Sequence, residues 1–254
     1  LQVMPLPAMS EVSSGAYLAA QQARASGDFA AAAQYYAQAL TRDPSNPALL
    51  ENATVAYLAL GKLEPAVAVA RKIEADGLRS QVSQMALVAD ETRQGQWDAL
   101  LKRIEEGRGV GDLADGMISA WADLGKGDMT SALARFDDVA KERGLRSFAI
   151  YHKALALASV GDFEGADKVF SGEDDGPIQR TRRGVIGWSQ VLSQLGEHER
   201  AVTIIDDTFG TDLDPEIETL RARLAEGESL PFDLVNSASD GISEVFFSLG
   251  RALM

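Results

Sequence analysis

Six glycines recur at a nearly constant interval: Gly27, Gly61, Gly95, Gly127, Gly161 and Gly196, separated by 34, 34, 32, 34 and 35 residues. A repeat of this length is one supersecondary unit that cannot bury its own apolar face and must stack on its neighbours. Apolar residues between the glycines recur at three- and four-residue steps, and no stretch alternates apolar and polar residues as a half-buried strand does. The period therefore predicts an all-α solenoid in one continuous array, a fold whose work is to present a surface.

Columns aligned on the glycines have physical meanings. Five residues after each glycine stand Ala32, Ala66, Leu100, Ala132, Ala166 and Ala201, small side chains suited to the closest approach of two antiparallel helices. Two residues after come Phe29, Leu63, Trp97, Met129, Phe163 and His198, expected to plug the junction between helices. Nine residues after come Tyr36, Ala70, Ile104, Phe136, Phe170 and Ile205, on the face that meets the next repeat. The glycine closes the first helix by taking a left-handed conformation without steric cost. Asp28, Asp128 and Asp162 follow it directly and are placed to cap the second helix.

The pattern resembles the tetratricopeptide repeat (TPR) family. Its clearest copy runs from Gly15 to Pro47, with Ala20, Gly27, Ala32, Tyr36, Ala39 and Pro44 at the family's spacing. The second copy carries Tyr57, Gly61 and Ala66; the third is degenerate, with Glu91 where a Tyr is expected and Leu100 for Ala. The resemblance implies a right-handed superhelical solenoid of about six helix-turn-helix repeats, at 13–46, 47–80, 81–112, 113–146, 147–181 and 182–215, after an N-terminal extension at 1–12. After 215 the period breaks into an atypical C-terminal helical segment, 216–254. Asp214-Pro215 starts a helix to about Glu226, a loop follows over Gly227–Gly241, and Ile242–Met254 reads as the first helix of an incomplete repeat. The chain is accordingly expected to stop inside a larger array. A last helix with Val245, Phe246, Leu249 and Leu253 on one face would be sticky.

Charge narrows the partners. A formal net charge of −14 opposes nucleic-acid binding, which rests on Lys and Arg displacing counterions, and equally opposes an anionic membrane. No run of about 18 apolar residues is present to span a bilayer. The absence of cysteine removes disulfides, thiolate metal sites and thiol nucleophiles. The uncharged start LQVMPLPAMS is either the remnant of a cleaved export signal, pointing to a bacterial periplasm rather than the cytoplasm, or a boundary within a longer chain.

Candidate chemistry is sparse, so no catalytic residue, metal site or cofactor is expected. His152 and His198 are the only histidines and lie far apart in sequence. Asp137-Asp138, Asp174-Asp175 and Asp206-Asp207 are adjacent pairs, which diverge by about 100° on a helix and fit a solvated acidic face. Asp212-x-Asp214-x-Glu216 lacks the glycine and closing glutamate of a calcium loop, and the Gly107–Gly111 stretch completes no phosphate-binding fingerprint.

In the TPR family the first helices line a concave groove. Carried over, the groove rows lie 13, 10, 9, 6 and 3 residues before each turn glycine. Of these 30 positions only Arg24, Glu51 and Arg183 are charged, where a 24% charged chain would place about seven. Tyr17, Gln21, Asn52, Val55, Met85, Met117, Trp121, Phe148, Tyr151, His152, Leu155 and Arg183 are the expected peptide-binding residues, a mix of aromatic anchors and pliable methionines suited to an apolar peptide or amphipathic helix. A clamp for a chaperone's C-terminal carboxylate is not expected, because Tyr17, Gln21, Val82 and Ala86 stand where its basic and amide groups belong. Three readings stay open beside the scaffold: rows buried between neighbouring repeats, a groove filled by the chain's own 1–10 or 228–254 segment, and a homodimer in which the last helix completes a repeat across two chains.

Overall fold

The computed structural model describes residues 11–176, 179–210 and 212–252, and among these every regular element is a helix. The expectations placed on Leu1–Ser10, Leu253 and Met254 lie outside the described residues. Two compact units divide the chain, one ending at Gly111 and the other beginning at Asp112.

Unit 1 contains α1 (Glu11–Ala25), α2 (Phe29–Leu40), α3 (Pro47–Ala59), α4 (Leu63–Ala75), α5 (Gln81–Arg93) and α6 (Trp97–Glu105). These form three hairpins, α1–α2, α3–α4 and α5–α6, and α3 packs against both α2 and α5. Unit 2 contains α7 (Asp112–Gly125), α8 (Met129–Val139), α9 (Arg146–Ser159), α10 (Phe163–Ser171), α11 (Arg182–Gln194), α12 (His198–Phe209), α13 (Pro215–Ala225) and α14 (Ala238–Ala252). Here the hairpins are α7–α8, α9–α10 and α11–α12; α13 packs on α12, and α14 folds back onto α7 and α9.

Each hairpin turn is built as its residues demand. The six periodic glycines have φ between 64° and 84°, the left-handed region that ends a helix cheaply. Asp28, Asp128 and Asp162 then accept backbone N–H bonds from Ala31, Ser131 and Gly165, at 2.9, 3.0 and 2.9 Å. The column five residues after the glycine is fully buried in all six repeats, so the paired helices approach over alanine, or over leucine at residue 100. Tyr36, Phe136, Phe170 and Ile205 of the nine-after column are buried against the neighbouring repeat, each large side chain contributing about 1.5–3 kcal/mol. The two-after residues are the first residues of the second helices and are half-buried.

The last helix begins earlier than the sequence suggests. The expected loop extends to Gly241, whereas α14 starts at Ala238. Ser237 acts as its cap, accepting the Asp240 N–H on Oγ at 3.1 Å, while Asp240 reaches back to the Asn236 N–H at 3.0 Å. The Asn-Ser-Ala-Ser stretch reads as a loop by composition but functions as a helix start.

Candidate functional site

The expected groove rows sit on the first helices of the hairpins, and the two units treat them differently. In unit 1 the rows of α1, α3 and α5 are open. Tyr17 is 36% and Leu18 65% exposed; Gln21, Asn52, Val55 and Met85 are half-buried, and among the described row positions only Ala86 and Thr92 are buried. Two polar contacts order this face: Gln21 Nε2 donates to Tyr17 Oη at 2.9 Å, and Arg24 Nη1 donates to Asn52 Oδ1 at 2.9 Å, joining α1 to α3.

In unit 2 the same rows are covered by the chain's own C-terminal segment. Met117, Trp121, His152 and Leu155 are fully buried, and Phe148, Tyr151 and Arg183 are half-buried. Residues 228–237 lie along α11: Gln190 Nε2 donates to Asp233 Oδ1 at 2.6 Å, the Asp233 N–H returns to Gln190 Oε1 at 3.3 Å, and the Leu230 N–H donates to Ser193 Oγ at 2.9 Å. Gly187 makes room for this segment, since a Cβ there would lie 2.9 Å from Leu234.

The helix α14 then crosses α7 and α9. Gly241 rests on the indole of Trp121 so closely that a Cβ would come within 2.2 Å of the ring. Ile242 and Val245 are buried beside it. A polar chain accompanies this contact: Trp121 Nε1–H donates to His152 Nδ1 at 3.1 Å, His152 Nε2 faces Ser248 Oγ at 3.2 Å, and Ser248 Oγ donates to the Val245 carbonyl at 3.2 Å. The imidazole is therefore the neutral tautomer with its proton on Nε2. Burial between Trp121, Phe136 and Tyr151 pushes its pKa down from 6.5 to about 3. One turn away, the Glu244 carboxylate is buried and accepts from Tyr151 Oη at 2.9 Å and from Arg183 Nη2 at 2.6 Å. That pairing holds the Arg183 guanidinium above its ordinary pKa, and burial together with Glu244 pushes the Tyr151 phenol upward.

The structure thus brings Trp121, Tyr151, His152 and Arg183 together, but beneath α14 and not at an open surface, while Met117 and Leu155 are fully buried on α7 and α9. The residues that complete this constellation, Gly241, Glu244 and Ser248, were outside the expected set. A glycine and a single charged residue, Glu244, in the stretch GISEVFFSL were the available signal. On α14 itself Val245 is buried, Phe246 and Leu249 are half-buried, and Phe247 is 47% exposed with Arg183 over its ring at 4.8 Å. Beside it, a cleft of about 530 Å³ opens between Phe148, Arg182, Phe247 and Arg251.

No cluster of three or more His, Asp or Glu side chains among the described residues is arranged to hold a metal ion. None of the described helices is long and apolar enough to cross a membrane.

Stacked helical hairpins, a left-handed glycine at every turn and an open row of first helices define an all-α repeat protein of the solenoid class. Residues 23–90 match the model of the tetratricopeptide repeat family. A crystal structure of a tetratricopeptide repeat protein from Parabacteroides merdae has the same fold, with a TM-score of 0.63 over 95% of this chain and 93% of that chain at 15% sequence identity. No curated protein matches the chain. Tetratricopeptide folds generally mediate protein–protein interaction and are typically non-catalytic.

Proposed function

We propose that this protein is a non-catalytic scaffold that holds an apolar peptide or helix of a partner protein on the first-helix face of unit 1. One observation carries the reading: equivalent rows are uncovered on α1, α3 and α5 and covered by the chain itself on α7, α9 and α11. Tyr17, Leu18 and Val55 supply the apolar contact, Met85 a pliable one, and Gln21 and Asn52 the hydrogen-bonding groups that set register. Low charge in these rows favours an apolar ligand over an ionic one. Self-association through α14 is not adopted, because this helix already buries Ile242 and Val245 inside its own chain.

Trp121 and Tyr151, the natural targets from sequence, are poor probes. Trp121→Ala would empty a fully buried site at a cost of about 3–5 kcal/mol, so lost binding would be indistinguishable from lost fold. The test is affinity capture with wild type against Tyr17→Ser/Leu18→Ser/Val55→Ser. The variant keeps wild-type helicity, and proteins recovered only by wild type identify the partner. Equal recovery by the two chains removes the face from consideration.

A further inference from the structure

The contact between α14 and its own chain has the make-up of a recognition site. A helix that merely closed a core would serve as well with apolar residues, because a buried ion pair gains little or nothing over a well-packed apolar pair. Here the contact is instead specified at three points. Trp121 admits only a glycine at its ring, Arg183 and Tyr151 converge on a carboxylate, and His152 offers an N–H to a hydroxyl. The three matching residues, Gly241, Glu244 and Ser248, fall at spacings of three and four and so share one helical face. The occupant reaches the site through the irregular segment 228–237, and the outer side of α14 leaves Phe247 exposed.

We propose that the α7–α9–α11 face is a recognition surface for an amphipathic helix bearing this Gly-x-x-Glu-x-x-x-Ser pattern, that α14 is its resident occupant, and that a partner helix carrying the pattern replaces α14. The surface belongs to unit 2 alone, so it stands or falls independently of the unit 1 reading. Charge complementarity selects the partner: Arg183 and the Tyr151 hydroxyl need a carboxylate, and a helix with lysine, leucine or glutamine at that point leaves the arginine unpaired. Because α14 is tethered, it competes at an effective concentration on the order of millimolar, so exchange needs a partner helix that binds more tightly or a resident that is weakened.

The test uses full-length chains and a fluorescein-labelled peptide of residues 236–252, read by anisotropy. Gly241→Leu in the chain dislodges its own α14, and Glu244→Gln weakens it without a steric clash; circular dichroism identifies which variants remain folded. Each folded variant is expected to bind the peptide at least tenfold more tightly than wild type does. The peptide carrying Glu244→Gln should bind at least tenfold more weakly, and that discrimination should vanish when Arg183→Gln is added to the chain. No peptide binding by the folded Glu244→Gln chain, equal binding of the two peptides, or a wild-type chain that scatters light as a dimer with exchanged α14 helices would overturn the proposal.

Discussion

His152 shows how one side chain's charge is decided by packing. Its Nδ1 accepts the Trp121 indole proton, so a second proton on the ring would have to break that bond inside a fully buried site. The folded pKa of about 3 lies below the ordinary 6.5. Above pH 6.5 neither state holds the proton; as pH falls toward 3 the unfolded chain takes it and the folded chain does not. Stability from this residue is therefore complete above 6.5 and declines below it, by up to about 1.4 kcal/mol per pH unit. Melting temperature measured from pH 7.5 to 5 should fall more steeply for wild type than for His152→Asn, and parallel curves would show that the ring is solvated. The sequence places His152 on a groove-facing row. That it is capped by a serine 96 residues away is a matter of tertiary structure alone.

At the scale of the helix, one pair of equivalent positions in the hairpin is filled in two ways. Four residues before the turn glycine and eight after it, the hairpins carry Ala23/Tyr35, Tyr57/Val69, Leu157/Val169 and Leu192/Ile204, all without formal charge. The third and fourth repeats carry Glu91/Arg103 and Asp123/Arg135, and both are ion pairs. The glutamate that makes the third repeat look degenerate is thus half of a coordinated replacement. Arg103 is buried and also donates to Glu74 at 2.6 Å and to Gln84 at 3.0 Å. Arg103→Val alone should strand the Glu91 carboxylate and destabilise the chain by about 3–5 kcal/mol, while Glu91→Leu with Arg103→Val should recover most of the loss. Glu74 keeps Arg108 as a partner in the double variant. Urea unfolding of the two variants decides the point: equal losses would mean that the pair is not the unit of the contact.

At the scale of the molecule, the C-terminal segment is structural to unit 2. Ending the chain at Gly227 uncovers Trp121, Met117 and Leu155, an apolar face that water would wet. Hydrogen exchange should then quicken in α7, α9 and α11 and stay unchanged in α1–α6; unchanged exchange in α7 would show that α14 does not hold that face. Local periodicity by itself determined the hairpins, because the turn glycines, the capping aspartates and the alanine column act within about 35 residues of one another. The family resemblance supplied the first-helix rows, and their low charge is read from the residues that fill them. Which rows are open was decided only in three dimensions. Whether Trp121 meets a partner or Gly241 depends on a contact 120 residues apart in sequence, and no repeat period encodes where a non-repeating tail will dock. The repeats specify a surface by local rules, and the tail chooses how much of it is left to bind anything else.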